Sequence, residues 1–134
     1  MKTRAAILSS ALLFLVYVTP LVAHHNVLAI FDPNKELTIT GTVTQITWLN
    51  PHALLFIEVK GADGKVVTWQ VELAPPHALT RKGFQKDTVP VSSSVTVRMW
   101  PARDGSHLAT IRMLALPDGK EFETGDSLGW QQIR

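Results

Sequence analysis

The 134-residue sequence contains no cysteine. Disulfides, thiolate metal sites and cysteine nucleophiles are thereby excluded, and the fold must stand on its hydrophobic core. There is no Gly-x-Ser-x-Gly elbow and no Gly-rich phosphate loop. Hydrolase and nucleotide-enzyme chemistry therefore lack their usual carriers. An excess of one charge is missing too. Of 13 Lys and Arg, Lys2 and Arg4 stand in the first four residues, and the other 11 face 11 Asp and Glu. A near-neutral domain offers no electrostatic reason to bind nucleic acid. Repeats, low-complexity tracts and charge blocks are also lacking. The apolar run from Ala5 to Val18 is 14 residues long, short of the roughly 20 that a membrane span needs.

What is present begins with that run. Met1-Lys2-Thr3-Arg4 is basic, Ala5 to Val18 is apolar, Pro20 breaks the run, and Leu21-Val22-Ala23 ends it. This is the plan of a secretory signal peptide over residues 1–23, cut after Ala23. The expected location is periplasmic or secreted. Leu21 stands where a smaller residue is usual, so an uncleaved anchor is the alternative, and it is the only membrane attachment expected. Cleavage makes His24 the first residue and His25 the second. Two imidazoles then sit beside a free α-amine.

The remainder reads as one small β domain, residues 24–123, with a tail over 124–134. Residues 35–47 form a long strand, with Leu37, Ile39 and Val43 on one face and Thr38, Thr40, Thr42 and Thr44 on the other. After Gly41 and Val43 the apolar phase slips to Ile46 and Trp48, which predicts a bulge or sharp bend. Further strands are expected over Ala53 to Lys60, Val66 to Leu73, Val95 to Trp100 and Leu108 to Leu116, with Asp63-Gly64 a hairpin turn. Asp118-Gly119 turns into a last edge segment. Between the third and fourth strands, Pro75-Pro76 and Gly83 bracket a helix of one or two turns. Three strands, a short helix and two strands is the element order of the OB-fold, a five-stranded partly open barrel. The fold class expected is all-β with one short helix, an OB-like small barrel. The tail carries Leu128, Trp130 and Ile133 and either covers a barrel end or stands apart from it.

Several motifs recur together: His24-His25 followed by Phe31-Asp32, Gly41-Thr42-Val43, Trp48-Leu49-Asn50-Pro51-His52, Asp63-Gly64-Lys65, Trp69-Gln70-Val71-Glu72, Leu79 to Phe84, and Pro101-Ala102-Arg103-Asp104-Gly105-Ser106. In these the chain resembles the small exported bacterial proteins grouped as DUF6152, over nearly the whole mature length. The resemblance implies an exported, soluble, single β-rich domain and supplies no established activity. Such proteins usually carry Gly-Asp before the fourth strand, where this chain has Val91-Ser92-Ser93-Ser94.

The five histidines are His24, His25, His52, His77 and His107, with no zinc-protease spacing among them. An amine and imidazoles suit a copper-like ion in tetragonal geometry. The amine and ring of His24 chelate together, and His25 or His52 completes the metal site. Asn50-Pro51 holds His52 at a turn, where function tends to sit, and about ten residues of N-terminal chain reach back to it. The competing reading makes His24-His25 a tolerated cleavage neighbour and His52 a packing or capping residue. His77 and His107 read as surface residues.

Sequence gives no catalytic pair. Glu72 falls on the polar face of its strand and reads as exposed. Asp104-Gly105 reads as turn chemistry, and Arg103 as a turn residue or an ion-pair partner of Asp104 or Asp32. Trp69 belongs to the inward face. Trp48 and Trp100, at strand ends beside Asn50 and Arg103, either plug the barrel ends or form a platform for a ligand or partner. The expectation is a non-enzymatic binding module of the envelope, taking copper at its mature N-terminus. The alternatives are a metal-free module binding a protein or glycan through Trp48 and Trp100, and a copper-dependent oxidative enzyme.

Overall fold

The structure is a computed structural model, and it describes residues 27–125. In chain order these form α1 (Val27–Ile30), β1 (Leu37–Thr47), β2 (Leu54–Lys60), β3 (Val66–Glu72), α2 (Pro76–Arg81), β4 (Ser94–Pro101), β5 (Leu108–Ala115) and β6 (Glu121–Phe122). The strand order is β3-β2-β1-β4-β5-β6, and β3 also pairs with β5. That last pairing is parallel, from Gln70 opposite Leu108 to Glu72 opposite Thr110, and it closes five strands into a barrel. The OB-like topology expected from the element order is therefore the one adopted.

Closure depends on β1, which serves two partners. Leu37 to Thr42 pairs with β4, and Thr42 to Thr47 pairs with β2. The strand changes partner at Gly41 and Thr42, and its register with β2 shifts between Val43 and Gln45. The apolar phase slip in the sequence is this bulge. Gly41 is required by contact: a Cβ there would lie 2.5 Å from the Glu58 carbonyl oxygen and 2.6 Å from Ile57 Cγ2. A second register shift lies between Arg98 and Met99 in the β4–β5 pairing. The loop ahead of β4 docks on the bulge, where Ser92 N donates to the Val43 carbonyl at 2.7 Å and Val43 N donates to the Ser93 carbonyl at 2.9 Å. Ser92 has φ 73°, a left-handed conformation that favours glycine.

Alternation fills the interior. Leu55 and Ile57 of β2, Val71 of β3, Val95 and Val97 of β4 and Ile111 of β5 are fully buried. Helix α2, opened by Pro76, covers one end of the barrel with Leu79, and Phe84 follows it into the core. Phe84 meets Trp48 at 6.3 Å and Phe122 at 5.3 Å between ring centroids. Leu37, expected to face inward, stands exposed where β1 begins.

A second apolar cluster lies apart from this core. Phe31, Trp100 and Ala102 are buried together, with Val27, Leu28 and Leu108 against them. It seats α1, a helix absent from the expected one-helix plan. Four residues are too short to show a 3.6-residue period, and tertiary packing holds the turn in place of propensity. At the other end, Thr124 and Gly125 are buried, and Ala74 N donates to the Thr124 carbonyl at 2.8 Å. Packing against the domain thus runs past residue 123, and the rest of the tail, with Leu128, Trp130 and Ile133, lies outside the described residues. No helix among the described residues is long and apolar enough to cross a membrane.

Candidate functional site

The loop from Trp48 to Ala53 carries the chain from β1 to β2, with a cis peptide between Asn50 and Pro51. Beyond Leu54 and Glu72, which are paired, the β2–β3 ladder continues through Leu73 N to the Ala53 carbonyl at 2.9 Å and Ala53 N to the Ala74 carbonyl at 3.4 Å. The two-residue period of a strand then sorts the side chains. Ala53 and Leu73 are buried in the core, while His52 and Glu72 share the outer face.

His52 Nδ1 lies 3.0 Å from the Leu73 carbonyl oxygen and 3.4 Å from Glu72 Oε1. Both are acceptors, so these partners assign the ring proton to Nδ1. In the neutral ring Nε2 then carries the lone pair. Among the described residues Nε2 has no hydrogen-bond partner. His52 and Glu72 are part-buried, their side chains 20% and 27% exposed.

They line a cleft of about 330 Å³. One wall is the β1–β2 loop with Leu49, Asn50 and Pro51, and the opposite wall is Val27, Ile30 and Phe31. That second wall is anchored by backbone and side chain together. Phe31 bridges to Ala102, Asp32 N donates to the Pro101 carbonyl at 3.0 Å, and Arg103 N donates to the Ile30 carbonyl at 2.9 Å. The Arg103 side chain adds Nε to the Leu28 carbonyl at 2.9 Å and Nη1 to Asp32 Oδ1 at 3.6 Å. A cation on the last carbonyls of a helix is favourable placement.

The sequence-expected residues separate into groups. His52 and Asn50 line the cleft. His24 and His25 lie outside the described residues. Trp48 stacks on Phe84 and rims a wider depression of about 710 Å³ beside Ile46, Gln85 and Val89 to Val91. Trp100 is only 3% exposed, with Arg112 4.9 Å over its ring. A shared platform of Trp48 and Trp100 is therefore not formed: the second cluster takes up one ring, and the other belongs to the main core. The Arg103 side chain, 45% exposed, is engaged by α1 and Asp32; the ion pair with Asp32 is one of the partnerships expected for it. His77 is exposed, and so is His107, whose ring meets Trp69 edge-on at 5.1 Å.

Glu72 is the residue that sequence reading passed over. Alternation placed it on the polar face, and only the β2–β3 register, set by the Asp63-Gly64 turn, reveals that this face also carries His52. Among the described residues, no group of three or more His, Asp or Glu forms a metal site. Asp104 and Arg112 titrate away from their ordinary values. The Ser106 hydroxyl and amide hold the Asp104 carboxyl below the usual range. Burial lowers the Arg112 guanidinium against the opposing pull of Glu36.

A family model described as "Family of unknown function (DUF6152)" matches residues 13–111. No curated protein and no solved structure matches the chain.

Proposed function

The chain belongs to the DUF6152 family, and from that footing we propose that it is an exported binding module that takes a copper-like ion at the His52 cleft. The ligands are His52 Nε2, the amine and ring of His24, and His25. One observation carries the reading. The one histidine that lines the cleft among the described residues turns its Nδ1–H to the protein, and the lining includes Val27, two residues after His25. Two or three residues of extended chain span at most about 7 to 11 Å, which keeps His24 and His25 within range of the cleft. Donation from the second ring nitrogen to a carbonyl or carboxylate is the usual support of a metal-bound histidine. Amine and imidazole nitrogens favour copper over harder ions. Export rests on the basic, apolar and small-residue plan of residues 1–23.

The metal-free alternative loses half of its surface with the burial of Trp100 and keeps only Trp48. Oxidative turnover at bound copper requires in addition an open coordination position and a reductant.

The test is a Cu(II) titration with electron paramagnetic resonance on protein processed by its own signal, beside a form extended by one Met before His24. The expected result is one-to-one binding with nitrogen-rich coupling, weakened at least tenfold by the extension. Equal binding by both forms, or binding no tighter than that of a free His-His peptide, overturns the proposal.

A further inference from the structure

The cleft is mostly apolar, with Ile30, Phe31, Leu49 and Leu54 among its walls, yet it contains a carboxylate. Glu72 has no Lys or Arg partner among the described residues; the side chain set against it there is His52. A part-buried carboxylate against apolar walls is costly unless a donor answers it. The donor available is Nδ1–H of His52, which the Leu73 carbonyl accepts at 3.0 Å, with Glu72 Oε1 3.4 Å from the same nitrogen. Glu72 lies on the Nδ1 side of the ring, and the nitrogen suited to a metal is on the other side. The geometry therefore leaves Nε2, and not Nδ1, without a partner among the described residues.

We propose that Glu72 is a positioning residue, which together with the Leu73 carbonyl holds the His52 ring with its proton on Nδ1 and its lone pair on Nε2. This deepens the copper reading of the same cleft and rests on it for its purpose, though not for its test. Two acceptors converge on one ring nitrogen, one from the backbone and one charged. The carbonyl accepts Nδ1–H. The carboxylate adds charge-assisted attraction, which makes the ring a stronger donor to a cation at Nε2. Both acceptors come from adjacent residues of one strand end, and the register bonds at Ala53 keep them level with His52.

The experiment is ¹⁵N NMR of the His52 ring in the metal-free protein, with Glu72→Gln beside it, followed by Cu(II) titration of both. The neutral wild-type ring is expected to show its proton on Nδ1, the less common tautomer of free histidine. Glu72→Gln is expected to shift the ring toward the Nε2-protonated form and to weaken Cu(II) binding by about 10- to 100-fold. A wild-type ring protonated on Nε2 overturns the proposal without reference to any variant or metal. An unchanged tautomer in a folded Glu72→Gln protein overturns it as well, since a merely structural ion pair changes thermal stability and leaves the ring proton in place. Wild-type protein that shows the Nδ1 tautomer, loses it in Glu72→Gln and binds no Cu(II) supports the positioning role and refutes the metal reading.

Discussion

At His52 the acceptors beside Nδ1 decide which chemistry the ring can offer. Donation to the Leu73 carbonyl at 3.0 Å leaves Nε2 to the cleft; the opposite orientation would have buried the useful lone pair against an acceptor. Part of this was legible in the sequence, because Asn50-Pro51 marks a turn and a turn exposes the residue after it. The Glu72 partnership was not, since alternation tells which side of a strand a residue takes and not which residue lies across from it. The choice between the two readings of Trp100 was not legible for a related reason: its neighbours come from α1 and Phe31, far away in sequence. The Asp104 turn behaves as expected, with Oδ1 accepting from Ser106 N at 2.9 Å. Since its folded pKa is depressed, Asp104 contributes stability that is present above its unfolded pKa and lost as the pH falls through the folded value. A carboxyl-detected NMR titration is expected to place Asp104 below free aspartate, and Ser106→Ala is expected to raise it. An unchanged midpoint in Ser106→Ala would contradict that cause.

Among the elements, β1 is the one on which the others depend. It pairs with β4 along its first half and with β2 along its second, and Gly41 stands where the partners change. Gly41→Ala must displace either the Glu58 carbonyl or Ile57, and an overpacking cost of about 1–3 kcal/mol is expected, measurable by urea denaturation. The loop before β4 gives the opposite sign. Ser92 holds φ 73°, and relief of roughly 1 kcal/mol of left-handed strain, less the extra unfolded-chain entropy of glycine, should leave Ser92→Gly slightly more stable in the same assay. Strands were legible throughout, because period-two alternation and Asp-Gly turns are local signals, and the bulge was visible as a slip in apolar phase. Helix α1 was not legible, because its stability comes from Trp100 and Leu108 on other elements.

On the scale of the whole molecule, two apolar clusters have two tasks. The larger closes the barrel, while the smaller seats the N-terminal segment so that Val27 faces His52 across the cleft. Arg103 holds the N-terminal segment by gripping the Leu28 carbonyl and Asp32. Arg103→Ala is therefore expected to weaken Cu(II) binding several-fold in isothermal titration while lowering the melting temperature by only a few degrees, as the barrel core is untouched. A large melting loss with unchanged Cu(II) affinity would assign Arg103 to the barrel instead. The central claim is that His52 and the N-terminal histidines hold one ion together. Pulsed electron paramagnetic resonance of the Cu(II) protein, processed to begin at His24, counts the bound imidazoles directly in wild type and His52→Ala. Loss of one imidazole signal with at least tenfold weaker binding is the expected result, and an identical nitrogen count in the two proteins would contradict the claim.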